Sequence, residues 1–247
     1  MQNLQKIIIF GFPHCGTTIL RSIIGHIEEV YEIIDEISSI NDEIINKIDP
    51  KLLENKKYIL CKFPYTSTEF FKDEKYNDYI KIFILRNPAF VFSSLNERYD
   101  NKLPDHFIDN YLNSLSYYVA NNNNDNKNIT NNLYIIKYES LFYENYLNLK
   151  RIFDTIVFNY TDEIFNNEKY VNKCQHLSDK INIPKVKPKN QHKQHDLYRL
   201  YQINKPFINN NDVSKINLTE KQKEVFKNNE LIKKIFPGYA ELPINKI

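Results

Sequence analysis

The stretch that decides the fold runs Lys6-Ile-Ile-Ile-Phe10, then Gly11-Phe-Pro-His-Cys-Gly-Thr-Thr18, then Ile19-Leu-Arg-Ser-Ile-Ile24. A short β-branched run, a loop bracketed by glycines and an apolar helical period predict a strand, a tight loop and a helix N-terminus. Amides at such a junction have no partner within the helix and sit at the positive end of its dipole, so the arrangement suits an anion. Only four glycines occur in the 247 residues. Two in one loop mark a backbone that bends unusually or comes very close to something.

The spacing from Gly11 to Gly16 matches the G-x-x-x-x-G-K-[ST] loop of nucleoside-triphosphate sites, except that Thr17 stands in the lysine position. The loop therefore suits a phosphate, but not the β/γ pair of ATP. Further apolar runs at 58–61, 80–85 and 133–136 predict strands buried on both faces, like 7–10. Helical patterns at 18–30, 88–99, 107–119 and 145–157 alternate with them. This predicts an α/β fold with a central parallel β-sheet flanked by helices. No further strand is expected after Thr161; 196–203 and 219–235 read as helices, and Thr219-Glu-Lys-Gln222 as a capping start. The Asn-rich run 121–128 reads as a solvated loop, and 182–190, with Pro184 and Pro188, as a break. With no repeat and no linker, one domain over 1–247 is expected, its C-terminal part (156–247) mainly helical.

A net charge of +2, with basic and acidic residues in near balance, gives no field that would draw nucleic acid in general. No apolar run approaches the roughly 20 residues of a membrane span. Cys15, Cys61 and Cys174 cannot all pair and lack metal-like spacing, which suits a reducing, cytoplasmic setting without a metal. His192 and His195 have a spacing known from metal sites, but no carboxylate motif accompanies them, so they read as a polar helix start. The 18 tyrosines and 16 phenylalanines fall at core-like spacings and signal packing.

A second constellation follows the run 82–85: Arg86-Asn-Pro88, then Ala89-Phe-Val-Phe-Ser-Ser-Leu-Asn-Glu-Arg98. Asn87 suits a helix cap and Pro88 the first turn. Arg86 then falls at the carboxyl end of a strand, where parallel sheets present their ligand sites. Ser94 and Arg98, four apart, share one helix face. An arginine at a strand end with Ser and Arg on the next helix makes a second anion pocket.

The two pockets together resemble the sulfotransferase family, whose donor is 3′-phosphoadenosine 5′-phosphosulfate (PAPS). Gly11–Thr18 is similar to that family's 5′-phosphosulfate loop, and Arg86 to Ser94 to its 3′-phosphate motif R-[DN]-P-x-x-x-x-x-S. Tyr138-Glu-Ser-Leu141 resembles its R-Y-E-x-L segment, whose tyrosine lies near the nucleotide, and Lys62-Phe-Pro64 its K-x-P segment. The likeness spans about residues 5–155, in order. It implies a P-loop-like α/β fold and in-line transfer of SO₃ from PAPS, without a metal, to an acceptor hydroxyl or amine. Sugar, peptide tyrosine, lipid and small molecule all stay open as acceptors. It also implies donor binding by Pro13, His14, Cys15, Gly16, Thr17, Thr18, Arg86, Ser94, Arg98 and Tyr138.

Departures from the pattern shape the catalytic expectations. His14 replaces the usual Lys or Arg, so leaving-group stabilisation falls to an imidazole that must be protonated or donate a neutral N–H. Cys15 stands where serine is usual and reads as a small filler. The histidine of the K-T-H-x-P segment is absent after Lys62. The family's second kind of base, a glutamate some twenty residues beyond the loop, points to Glu36, with Asp35 second. Arg21 fits a family helix position or an exposed helix arginine equally well. Two other readings remain: a catalytically degenerate sulfotransferase-like nucleotide-binding protein, and an ATP-dependent P-loop phosphotransferase.

Overall fold

Isoleucine makes the middle of the sheet. In the computed structural model, which describes residues 4–64, 74–122, 132–177, 183–188 and 194–241, β1 (Gln5–Phe10) is the central strand. It lies between β3 (Tyr58–Phe63) and β4 (Ile80–Leu85), with Ile7 opposite both Leu60 and Ile80. The edges are β2 (Val30–Glu36) and β5 (Leu133–Lys137). The order is β2-β3-β1-β4-β5 and every pairing is parallel. Ile7, Ile8, Ile9 and Phe10 are completely buried, as a strand covered on both faces requires. Parallel pairing brings the carboxyl ends of all five strands to one edge. The chain leaves β1 toward β2, returns through β3 and then crosses to β4, so the sheet reverses its winding beside β1.

The helices are α1 (Thr17–Gly25), α2 (Asp42–Asn46), α3 (Pro50–Leu53), α4 (Pro88–Arg98), α5 (His106–Asn122), α6 (Tyr138–Leu141), α7 (Leu147–Ile156), α8 (Asn167–Leu177), α9 (His195–Tyr201), α10 (Glu220–Asn228) and α11 (Glu230–Ile235). An aromatic cluster ties the strand ends to the C-terminal helices. The Phe12 ring centroid lies 5.3 Å from that of Tyr111 and 5.9 Å from that of Phe92, and Phe92 lies 4.8 Å from Phe226. Such contacts add roughly 0.5–1.5 kcal/mol per pair beyond the area they bury. Tyr111 also donates its hydroxyl to the Arg86 carbonyl at 2.6 Å, fixing the backbone where the second anion motif begins.

The expected α/β architecture with a central parallel sheet is the observed one, with three local differences. The first helix stops at Gly25, and residues 30–36 form β2, an edge strand that was not expected. Its polar residues Glu32, Asp35 and Glu36 interrupt the apolar run by which a buried strand is recognised. Helix α8 was also not foreseen. The single helix expected over 219–235 is two helices: the Asn229 side chain accepts from the Ile232 amide at 3.1 Å and starts the second. Thr219 and Gln222 form the anticipated capping box at the first. His192, residues 123–128 of the Asn-rich run and residues 182, 189 and 190 of the break lie outside the described residues.

Candidate functional site

The glycine loop is built by exclusion. A Cβ on Gly11 would lie 2.3 Å from the Ile84 carbonyl oxygen, so only glycine lets the chain leave β1 this close to β4. Gly16 takes φ 103°, and a Cβ there would lie 2.4 Å from the Tyr138 ring. Gly16 caps α1 without a side-chain hydrogen bond, and the first turn has no acidic residue. The opening amides of this helix are thus left for a ligand. Cys15 turns into the core, where burial pushes its thiol up to about 12; it is a neutral filler and no thiolate.

Arg86 follows β4 directly, and Asn87 caps α4 by accepting from the Ala89 amide at 2.9 Å. Its guanidinium lies 4.3 Å from the Tyr138 ring centroid. Nε donates to Asn211 Oδ1 at 2.8 Å, and an Nη donates to the His14 carbonyl at 3.1 Å. The other Nη reaches Asn210 Oδ1 at 3.2 Å, and Tyr138 donates to the same amide oxygen at 2.6 Å. With five N–H groups, Arg86 keeps donors for an anion while its plane is held from three sides.

His14 joins the two motifs. It occupies the left-handed region at φ 67°, and its Nδ1 lies 2.6 Å from Ser94 Oγ on α4. Burial, together with the charges of Arg98, Arg86, Lys205 and Lys62, lowers its pKa to about 3. The ring is therefore neutral at physiological pH. When Ser94 donates to Nδ1, the imidazole carries its proton on Nε2 and offers a neutral N–H.

On the other side of β1, Lys62 is the next to last residue of β3 and only 2% exposed. Its Nζ lies 2.5 Å from Thr18 Oγ1 and 3.0 Å from Glu36 Oε1. Glu36 Oε2 is held by Arg199 from α9. Burial first, then Arg21 and last Arg199 lower the Lys62 pKa to about 7 against the attraction of Glu36. An amine in this state exchanges protons near neutrality, as proton-transfer groups require.

All these groups face one cavity of about 550 Å³ at the carboxyl edge of the sheet, a size typical of small-molecule sites. The loop residues Pro13, His14, Gly16, Thr17 and Thr18 line it. So do Arg86, Ser94, Arg98, Tyr138 and Glu36. Of the residues expected to bind the donor, Cys15 does not line the cavity. Asp35, one step along β2 from Glu36, is exposed. Arg21 is neither exposed nor in the cavity: it is 1% accessible, its Nε lies 2.7 Å from Glu32 Oε1, and it donates to the Ile34 carbonyl at 2.5 Å. It anchors β2 to α1. Sequence reasoning missed Arg199 and Asn210, which the chain beyond residue 194 brings to the cavity without any motif to mark them. Lys62 was noted only as part of a short segment, although a lysine near the end of a buried strand was itself a signal.

The arrangement holds two anion-binding subsites separated by His14, and a Lys–Glu pair beside the first. Its donors suit anionic groups: helix amides and hydroxyls on one side, Arg86, Ser94 and Arg98 on the other. Among the described residues no cluster of three or more His, Cys, Asp or Glu could hold a metal, and no helix is long and apolar enough to cross a membrane.

The fold is that of a sulfotransferase. The chain superimposes on the crystal structure of mouse sulfotransferase SULT7A1 complexed with PAP, with a TM-score of 0.56 and 16% identity, covering 96% of this chain and 89% of that one. A looser likeness, TM-score 0.42 at 15% identity over 96% and 80%, links it to retinol dehydratase in a complex with retinol and PAP. No family model matches the chain, and no curated protein matches it by sequence.

Proposed function

We propose that the protein is a cytoplasmic, single-domain sulfotransferase that moves a sulfuryl group from PAPS to a hydroxyl or amine acceptor. The observation that carries this reading is the single cavity uniting the glycine loop with Arg86, Ser94 and Arg98. A triphosphate loop carries its own lysine before the Ser/Thr; here Thr17 stands in that position, and a separate cationic subsite lies beyond His14.

Bound PAPS supplies a sulfuryl group activated by its anhydride bond to phosphate, for in-line transfer. The amides opening α1 and the Thr17 and Thr18 hydroxyls hold the 5′ end. Arg86, Ser94 and Arg98 hold the 3′-phosphate, and Tyr138 fixes the plane of Arg86. His14, neutral and N–H-bearing, stabilises charge on the departing phosphate. Glu36, coupled to Lys62, receives the acceptor's proton. Thermal-shift titration with 3′,5′-adenosine bisphosphate, beside ATP–Mg²⁺ and AMP, tests the reading. Selective stabilisation by the bisphosphate is expected, about 2.7 kcal/mol at a hundred times its Kd. Stabilisation by ATP–Mg²⁺ alone would revive a phosphotransferase, and a bisphosphate response without PAPS turnover on any acceptor would leave a degenerate binding protein.

A further inference from the structure

The C-terminal helix α9 contributes an arginine to the Lys62–Glu36 pair that none of the recognisable motifs anticipates. Four side chains form a chain across the cavity wall: Arg199 on Glu36 Oε2, Glu36 Oε1 at 3.0 Å from Lys62 Nζ, and Lys62 Nζ at 2.5 Å from Thr18 Oγ1. Its two ends belong to the C-terminal helix and to the donor loop. We infer that Arg199 is a positioning residue that fixes the Glu36 carboxylate against Lys62 in the cavity wall.

The reason lies in how weakly the sheet itself positions Glu36. The register between β2 and β3 shifts between Glu32 and Glu36, so the last residue of β2 is placed by an irregular pairing at an edge. Lys62 alone could draw Glu36 into a closed ion pair, with the amine fully charged. Arg199 prevents this in two ways. It takes the second carboxylate oxygen, dividing the negative charge between two partners. It also adds a positive charge beside an amine that already faces Arg21 from α1. The groups facing Lys62 are thus Thr18 and Arg21 from α1, Glu36 from β2 and Arg199 from α9. Burial and the two arginines oppose its proton, and Glu36 alone favours it. Removing Arg199 takes away one opposing charge, frees a Glu36 oxygen for the amine and moves the lysine toward its charged form.

The inference rests on the sulfotransferase reading for its purpose, a pair that accepts the acceptor's proton, but its test does not depend on turnover. Full-length protein carrying ¹³C-labelled lysine, with the Lys62 resonance assigned from Lys62→Arg, is titrated by NMR as wild type, Arg199→Ala and Arg199→Lys. The Lys62 midpoint is expected to rise by about one pH unit in Arg199→Ala and to stay near that of wild type in Arg199→Lys. The melting shift caused by 3′,5′-adenosine bisphosphate should be the same in all three. With PAPS and a panel of hydroxyl acceptors, Arg199→Ala should lose kcat several-fold at pH 7, keep its donor KM and regain rate at higher pH. An unchanged Lys62 midpoint in Arg199→Ala, with bisphosphate binding intact, overturns this inference and leaves the function reading standing. No response to the bisphosphate in the unaltered protein overturns the function reading instead. Loss of bisphosphate stabilisation in both variants would make Arg199 a structural residue and equally overturn the inference.

Discussion

His14 Nδ1 and Ser94 Oγ lie 2.6 Å apart, so the loop after the first strand and the helix after the fourth meet in one hydrogen bond. The two segments are 80 residues apart in the chain, yet neither anion motif is complete without the other. Arg86 reinforces the junction by donating to the His14 carbonyl at 3.1 Å.

Selectivity for a 3′-phosphate should reside in Arg86. Arg86→Ala is expected to weaken 3′,5′-adenosine bisphosphate by roughly 10–100-fold, the worth of a charge-assisted hydrogen bond. AMP, which lacks the 3′ group, should bind almost as before. Calorimetric titration of both nucleotides checks this; equal losses for the two would assign Arg86 to general packing.

At acid pH, between the His14 pKa of the free protein and the higher one of the complex, nucleotide binding should take up a proton. His14 is neutral in the free protein because burial, then Arg98, Arg86, Lys205 and Lys62, lowers its pKa to about 3. A polyanion against the ring reverses the surrounding potential and raises that value. A pKa higher in the complex than in the free protein means that affinity increases as pH falls toward 3. Calorimetry in buffers of different ionisation enthalpy measures the uptake directly. His14→Ala should abolish it, and an identical uptake in that variant would trace the proton to another group.

The glycine loop should tolerate no side chain at its second hinge. Gly16→Ala places a methyl group 2.4 Å from the Tyr138 ring at φ 103°, so both sterics and backbone oppose it. A loss of about 1–3 kcal/mol in stability is expected from overpacking, together with loss of bisphosphate binding. Chemical denaturation and thermal shift read the two effects separately. Wild-type nucleotide affinity in this variant would show that the loop does not approach the ligand.

Arg21 should matter to stability more than to binding. It is buried against Glu32, whose oxygens also accept from Tyr170 at 2.9 and 2.8 Å. Arg21→Met strands a buried carboxylate and should cost about 3 kcal/mol. Joining it to Glu32→Leu removes the stranded charge and should restore much of the loss, which a double-mutant cycle from urea denaturation would measure. Additive losses would show that the two side chains are not coupled.

The legibility of this chain varied with the kind of signal each element carries. The buried inner strands were plain because Ile7–Phe10 and Ile82–Leu85 are apolar without interruption, a pattern that double-sided burial demands. The edge strand β2 was not, because most of its side chains are only partly buried and its acidic residues break the run. Arg86, Asn87 and Pro88 could be placed at a strand end and helix start from local chemistry alone, since capping and fixed proline φ act within a few residues. Arg21 was ambiguous because a helix position does not reveal which face is covered; the partner that buries it, Glu32, stands on an element the sequence did not show.

By itself the sequence determined what depends on near neighbours: the strand–loop–helix at Gly11–Thr18, the capped helix after Arg86, and the alternation that makes the sheet parallel. Those features follow from backbone sterics and hydrophobic period, which operate over a few residues at a time. Only the tertiary structure decided which charges share a space. That His14 is neutral, that Lys62 exchanges its proton near pH 7 and that Arg199 reaches Glu36 are consequences of burial and of distances between segments remote in the chain. Electrostatic energies in a desolvated cavity depend on those distances and on the exclusion of water, and neither exists until the chain has folded.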